Sequence, residues 1–89
     1  MKNKLCIVIC DNRGLTFIGR CNMDDDYIIT IKNARCIIIW GTKEHLAELV
    51  DGPTNRTKLG RTHDFSVMAT QVIGFYVVNE EAWKTHLVE

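Results

Sequence analysis

Arg56, Lys58, Arg61 and His63 lie within one eight-residue span, among Thr54, Asn55, Thr57 and Thr62, with Gly52 and Gly60 close by. Phosphate recognition uses these parts: guanidinium forks, hydroxyl donors and backbone N–H groups that glycine leaves accessible. Arg20 and Arg35 sit inside stretches otherwise built of apolar residues, and a buried guanidinium has to pair or meet a ligand. Trp40, beside Gly41 at the end of a β-branched run, offers a ring that stacks on a base. Together these types suggest binding of an anionic, nucleotide-like small molecule by Arg56, Lys58, Arg61, Thr57, Trp40, Arg35 and Arg20. Each has a plainer reading. The loop is then a solvated surface, the arginines face water or pair with Asp24–Asp26, and Trp40 packs in the core.

Nothing in the chain spells out a reaction. The phosphate loop GxxxxGK[ST] is absent, with Gly60-Arg61-Thr62 only a loose echo, and so is GxGxxG. No nucleophile elbow, HExxH pair or kinase signature occurs. The acid–base inventory is His45, His63, His86, Asp64 and the other carboxylates; adjacent His63 and Asp64 would point to opposite faces of a strand. A cysteine–histidine pairing, for example Cys21 with His63, is left open by sequence. The expectation is a non-enzyme without a cofactor. Four cysteines, Cys6, Cys10, Cys21 and Cys36, sit in apolar strand-like stretches without a CxxC pair, so no metal site is expected. Cys6 and Cys10, four apart on one strand, would lie about 13 Å apart, beyond the ~7 Å reach of a disulfide. They read as reduced thiols acting as small core hydrophobes.

These groups need a scaffold, and 89 residues allow one domain, 1–89, with a thin core. The formal net charge is zero with 25% charged residues, which argues against a general nucleic-acid coat, usually strongly basic. A thin core favours assembly with further copies, so a homo-oligomer is expected. The apolar start, Leu5 to Cys10, ends at Asp11 and is too short for a secretory signal. No run approaches a membrane span. The chain reads as cytoplasmic.

Leu5 to Cys10 is apolar on both alternating faces and predicts a strand covered on both sides. A turn at Asp11–Gly14 leads to a second strand, Leu15 to Asn22, in which Gly19 signals a bulge or close backbone approach. After the acidic turn Met23–Asp26, Tyr27 to Lys32 and Arg35 to Trp40 read as strands three and four, joined tightly at Asn33-Ala34. Thr42 reads as the cap of a helix carrying Leu46, Leu49 and Val50 on one face, stopped by Gly52-Pro53. Pro53 to His63 is then a loop. Phe65 to Ala69 and Val72 to Val78 are further strands, and Asn79 caps a closing helix pinned by Trp83 and Leu87. The predicted class is α+β, in the order β-β-β-β-α-β-β-α: a bent antiparallel sheet or small open SH3/Sm-like barrel.

Gly19-Arg20, Asn33-Ala34-Arg35 leading to Trp40-Gly41, Leu46 with Leu49, Gly52-Pro53-Thr54 with Thr57 and Leu59, and Glu81 to Trp83 span most of the chain. In these pieces it resembles an uncharacterised family of small proteins encoded by phages and prophages. The resemblance implies an accessory phage protein in the host cytoplasm and carries over no activity. Counter-defence proteins, inhibitors of host enzymes and small virion parts all suit that context. The first expectation is a sponge that sequesters a nucleotide-like immune signal. The alternative is a protein-interaction module that masks a host enzyme or docks in a phage assembly.

Overall fold

The computed structural model describes residues 2–11 and 15–88. Five strands form one antiparallel sheet: β1 (Lys4–Cys10), β2 (Thr16–Met23), β3 (Ile28–Ile39), β4 (Lys58–Met68) and β5 (Val72–Val77), in the order β4-β3-β2-β1-β5. A 3-10 turn over Leu46–Asp51 follows β3, a second over Ala69–Gln71 links β4 to β5, and α1 (Glu80–Trp83) closes the chain. Among the described residues no helix is long and apolar enough to cross a membrane.

Topology forces the sheet to curl. β4 and β5 are its opposite edges, which in a flat five-stranded sheet would lie about 19 Å apart. Only Ala69–Gln71 separate them in sequence, and a link that short spans at most about 14 Å. The linker is tied to both sides: Ala69 N–H donates to Tyr27 O at 2.8 Å, and Asp11 N–H donates to Gln71 O at 2.7 Å. β1 lies between β2 and β5 and is buried on both faces, as its unbroken apolar run predicts. One face joins Leu5, Ile7, Ile18, Ile37, Leu46, Leu49, Val78 and Trp83; the other joins Cys6, Val8, Cys10, Cys21, Ile29, Ile31 and Ala34. All four cysteines are free; Cys6, Cys10 and Cys21 are buried and Cys36 is half-buried.

Four sequence expectations need correction. The predicted third and fourth strands are one strand, β3. Asn33 does not turn the chain but forms a bulge with φ +54°, a conformation asparagine tolerates well. The bulge is fastened from β4: Asp64 accepts the Asn33 N–H at 3.1 Å and pairs with Lys32 at 3.2 Å. The helix is a 3-10 turn capped by His45 rather than by Thr42. The loop is shorter than expected, because Lys58 to His63 belong to β4. Phe65 to Ala69 is not a separate strand; its residues up to Met68 complete β4, and Ala69 opens the second 3-10 turn. The predicted first turn falls partly on Asn12–Gly14, outside the described residues. The closing helix does start at Asn79, whose Oδ1 accepts the N–H groups of Glu81 and Ala82.

The His45 cap shows why the sequence misled. His45 Nδ1 accepts the Ala47 N–H at 3.0 Å, while Glu48 reaches back to three backbone N–H groups, those of Lys43 (3.0 Å), Glu44 (2.7 Å) and His45 (2.8 Å). This is the reciprocal logic of a capping box with an imidazole where serine or threonine is expected. The His45, Lys43 and Glu44 N–H groups hold the Glu48 carboxyl below the usual carboxylate range. A carboxyl whose folded pKa is depressed contributes stability that is complete above its unfolded value, ordinarily about 4.3, and is lost as pH falls through the lower folded value. Melting temperature should therefore drop on acidification below about pH 4. Glu48→Gln should lower it at neutral pH and flatten part of that acid slope; thermal melts between neutral and strongly acidic pH check both. Asp64 and Glu80, shifted in the same direction, account for the slope that remains.

Candidate anion-binding corner

Where β3 ends, Trp40 and Gly41 leave the strand and lie against the Thr54–Thr57 turn. Thr57 donates its hydroxyl to Trp40 O at 2.7 Å, and Thr54 donates to Gly41 O at 2.9 Å. Within the turn, Thr54 N–H donates to Thr57 Oγ1 (2.9 Å), Arg56 N–H to Thr54 Oγ1 (3.1 Å) and Thr57 N–H to Thr54 O (3.2 Å). Gly41 has φ +70°, and a Cβ there would come within 2.6 Å of the backbone of Arg56 and Thr57. Only glycine permits that approach. The threonines and Gly41 thus fix the backbone that carries both Trp40 and Arg56.

Lys58 pairs in register with Ile39, the residue before Trp40, and so belongs to the same corner. Trp40 is 41% exposed. Arg56, Lys58 and Arg61 are exposed, and none forms a side-chain hydrogen bond or ion pair with the described residues. Arg61 lies three residues further along β4, about 10 Å from Lys58. The corner can therefore offer a flat indole and free cationic heads without first breaking an internal ion pair. It is an open surface; the cavities of about 310 and 380 Å³ lie elsewhere.

The remaining predicted ligands are committed otherwise. Arg20 holds Glu80 bidentately at 2.8 and 3.0 Å and donates to Asn3 O at 3.1 Å. Its guanidinium keeps the Glu80 carboxyl below the usual range. Arg35 donates Nε–H to Gly60 O at 2.7 Å and a terminal N–H to His86 O at 3.4 Å, so it ties β4 and the C-terminal segment to β3. Neither arginine pairs with Asp24–Asp26. Thr57 has one O–H, given to Trp40 O, so it positions the indole and is not available as a phosphate donor. The cavity that Arg20 lines with Lys32, Asn33 and Thr62 holds two cations already matched by Glu80 and Asp64. Sequence reading set neither acid opposite its cation because the partners are 60 and 32 residues apart.

The Cys21–His63 arrangement does not form. The Cys21 thiol is fully buried in the same core cluster as Cys6 and donates to Gly19 O at 3.5 Å, whereas His63 is exposed on β4. The contact with Cys6 and burial push the Cys21 thiol well above its ordinary pKa, away from a thiolate. Among the described residues no three histidine, cysteine or acidic side chains gather to hold a metal ion.

These features define a small antiparallel-sheet domain with a cationic, aromatic corner at one end of its β3–β4 pair. The chain belongs to the DUF6948 family, a domain of unknown function, which it matches over residues 3–86. No curated protein and no solved structure matches it.

Proposed function

We propose that this is a non-enzymatic binding protein that takes an anionic, nucleotide-like ligand at the Trp40, Arg56, Lys58 and Arg61 corner and sequesters it. One observation carries this reading: free cations stand beside a half-exposed indole on a backbone fixed by two threonine hydroxyls. Phosphate meets the guanidinium and ammonium heads, and the base stacks on the ring. Arg20 and Arg35 hold the scaffold. Because one open corner covers little of a nucleotide, and ligand sites usually bury most of theirs, the working form is a homo-oligomer. We read the curled sheet as a small open barrel of the SH3-like or Sm-like kind; the three-residue link between its edge strands supports that. In a phage-infected cytoplasm such a protein acts as a counter-defence sponge for a host immune signal.

The test is native mass spectrometry of freshly purified protein followed by analysis of the small molecules it releases. The expected result is a phosphate-bearing compound recovered intact. Arg56→Ala with Arg61→Ala should weaken its binding at least ~100-fold, since each charge-assisted contact contributes about 1.5–3 kcal/mol, with an unchanged circular dichroism spectrum. Undiminished binding in the double variant overturns the site. A protein-docking module that masks a host enzyme is the second reading, favoured by the exposed apolar side chains of β5. Host-lysate pull-down of one stoichiometric partner, with no small molecule bound, would select it.

A further inference from the structure

The two edges of the sheet are built differently. On β4 the exposed positions include Lys58, Arg61, His63 and Asp64, and charge of this kind keeps an open edge from pairing with another strand. β5 has no such guard. From Val72 to Val78 there is no charged residue and no proline, and the alternation places Ile73, Phe75 and Val77 outward at 67%, 50% and 53% exposure. Register puts Phe75 opposite Val8 and Val77 opposite Cys6. Val8 and Cys6 belong to the second core cluster. The exposed row therefore continues that core outward past the last strand covering it. Beside it, Met23, Ile29, Ala69 and Val72 line an apolar groove of about 380 Å³ that also takes in Ile73 and Phe75.

We infer that β5 is a self-association edge, paired antiparallel with β5 of a second copy about a two-fold axis. The strand is self-complementary: apolar residues meet apolar residues across the axis, and no like charges face each other. A two-fold normal to the sheet keeps Ile73, Phe75 and Val77 of both copies on one face, so the second cluster becomes continuous across the pair. Met23 and these three side chains expose on the order of 400 Å² per copy. Pairing shelters part of that surface and part of the edge backbone, which places the interface at the small, weak end of specific association and matches dissociation on dilution. This edge supplies the homo-oligomer of the proposed function but does not depend on the ligand site.

Light scattering coupled to gel filtration across a dilution series tests it. The full chain should elute with the mass of two copies and dissociate on dilution. Phe75→Lys should raise the dimer dissociation constant on the order of 100-fold or more, while His63→Lys on the guarded edge should leave it unchanged. A wild-type protein that stays monomeric, alone or bound to some other protein, overturns the inference. So does a dimer indifferent to Phe75→Lys. Should that variant lose its fold by circular dichroism, hydrogen exchange on the wild type decides: β5 amides that protect with rising concentration support the edge, and concentration-independent exchange refutes it. Ligand retention is measured separately on the same samples. A monomeric variant that still binds shows the corner standing without the dimer, and a dimer without ligand shows the reverse.

Discussion

Trp83→Ala should remove a large share of the stability of this protein. Trp83 is fully buried, packs in the first core cluster with Leu46, Leu49 and Val78, and donates its indole N–H to Leu49 O at 2.7 Å. Truncating a buried tryptophan costs about 3–5 kcal/mol through lost contacts and the cavity left behind. A chain of 89 residues has a total of roughly 4–13 kcal/mol to lose. At about 4–8 °C per kcal/mol, the expected fall in melting temperature is at least ~12 °C. α1 is a single turn, so it cannot hold its place without this side chain. Trp83→Phe separates the two contributions. It keeps most of the volume but removes the stronger of two donors to Leu49 O, which the Gly52 N–H still serves at 3.2 Å, at a cost of about 0.5–1.5 kcal/mol. Urea melts of the wild type and both variants should therefore rank wild type, then Phe, then Ala. A phenylalanine variant as unstable as the alanine one would mean that the hydrogen bond, and not the packing, dominates.

Gly19→Ala should be nearly as damaging, for a different reason. The register of β2 on β3 shifts between Ile18 and Arg20, and β3 crosses Gly19 at its closest there. An added Cβ would sit 2.5 Å from Ile31 Cγ2, 3.0 Å from Lys32 O and 3.1 Å from Ala34 Cα. Ile31 is itself fully buried, and the other two atoms are backbone on either side of the Asn33 bulge, so nothing nearby can move cheaply. Overpacking of this kind costs about 3 kcal/mol. It should also disturb the bulge that Asp64 and Lys32 fasten. Gly74→Ala is the matched comparison: a Cβ there meets nothing within 4 Å, and replacing glycine inside a strand should stabilise by about 0.5–1 kcal/mol. Thermal melts of the two variants should shift in opposite directions. Equal shifts would mean that the β2–β3 approach is looser than its geometry implies.

Gly19 was legible in the sequence because a lone glycine inside an otherwise well-formed strand signals a close crossing. The buried β1, the Asn79 cap and the burial of Trp83 were legible for similar reasons. Each is signalled by a local pattern, an unbroken apolar run, a capping residue before acids, or an apolar i, i+4 pair, whatever the fold later sets against it. The misreadings share the opposite cause. Asn33-Ala34 has the composition of a turn, and only the pairing of Ile31 with Phe65 and of Ala34 with His63 on β4 makes it a bulge in a continuous strand. Lys58 to His63 has the composition of a loop, and only the waiting edge of β3 makes it a strand.

The candidate site divides along the same line. Residue types alone placed Arg56, Lys58, Arg61 and Trp40 among groups able to hold an anion with an aromatic ring, because charge, reach and ring surface belong to the side chain itself. Whether a charge is free depends on what the fold sets opposite it, and Glu80 meets Arg20 across 60 residues. Thr57 looked like a phosphate donor until the end of β3 came within reach of its hydroxyl. The apolar β5 is plain in the sequence too, but its place at the unguarded edge follows from a strand order that no local pattern contains. Local composition determined the buried β1, the Asn79 cap and which side chains carry charge; long-range pairing decided how far β3 and β4 run, which of those charges are spent and which edge is left open.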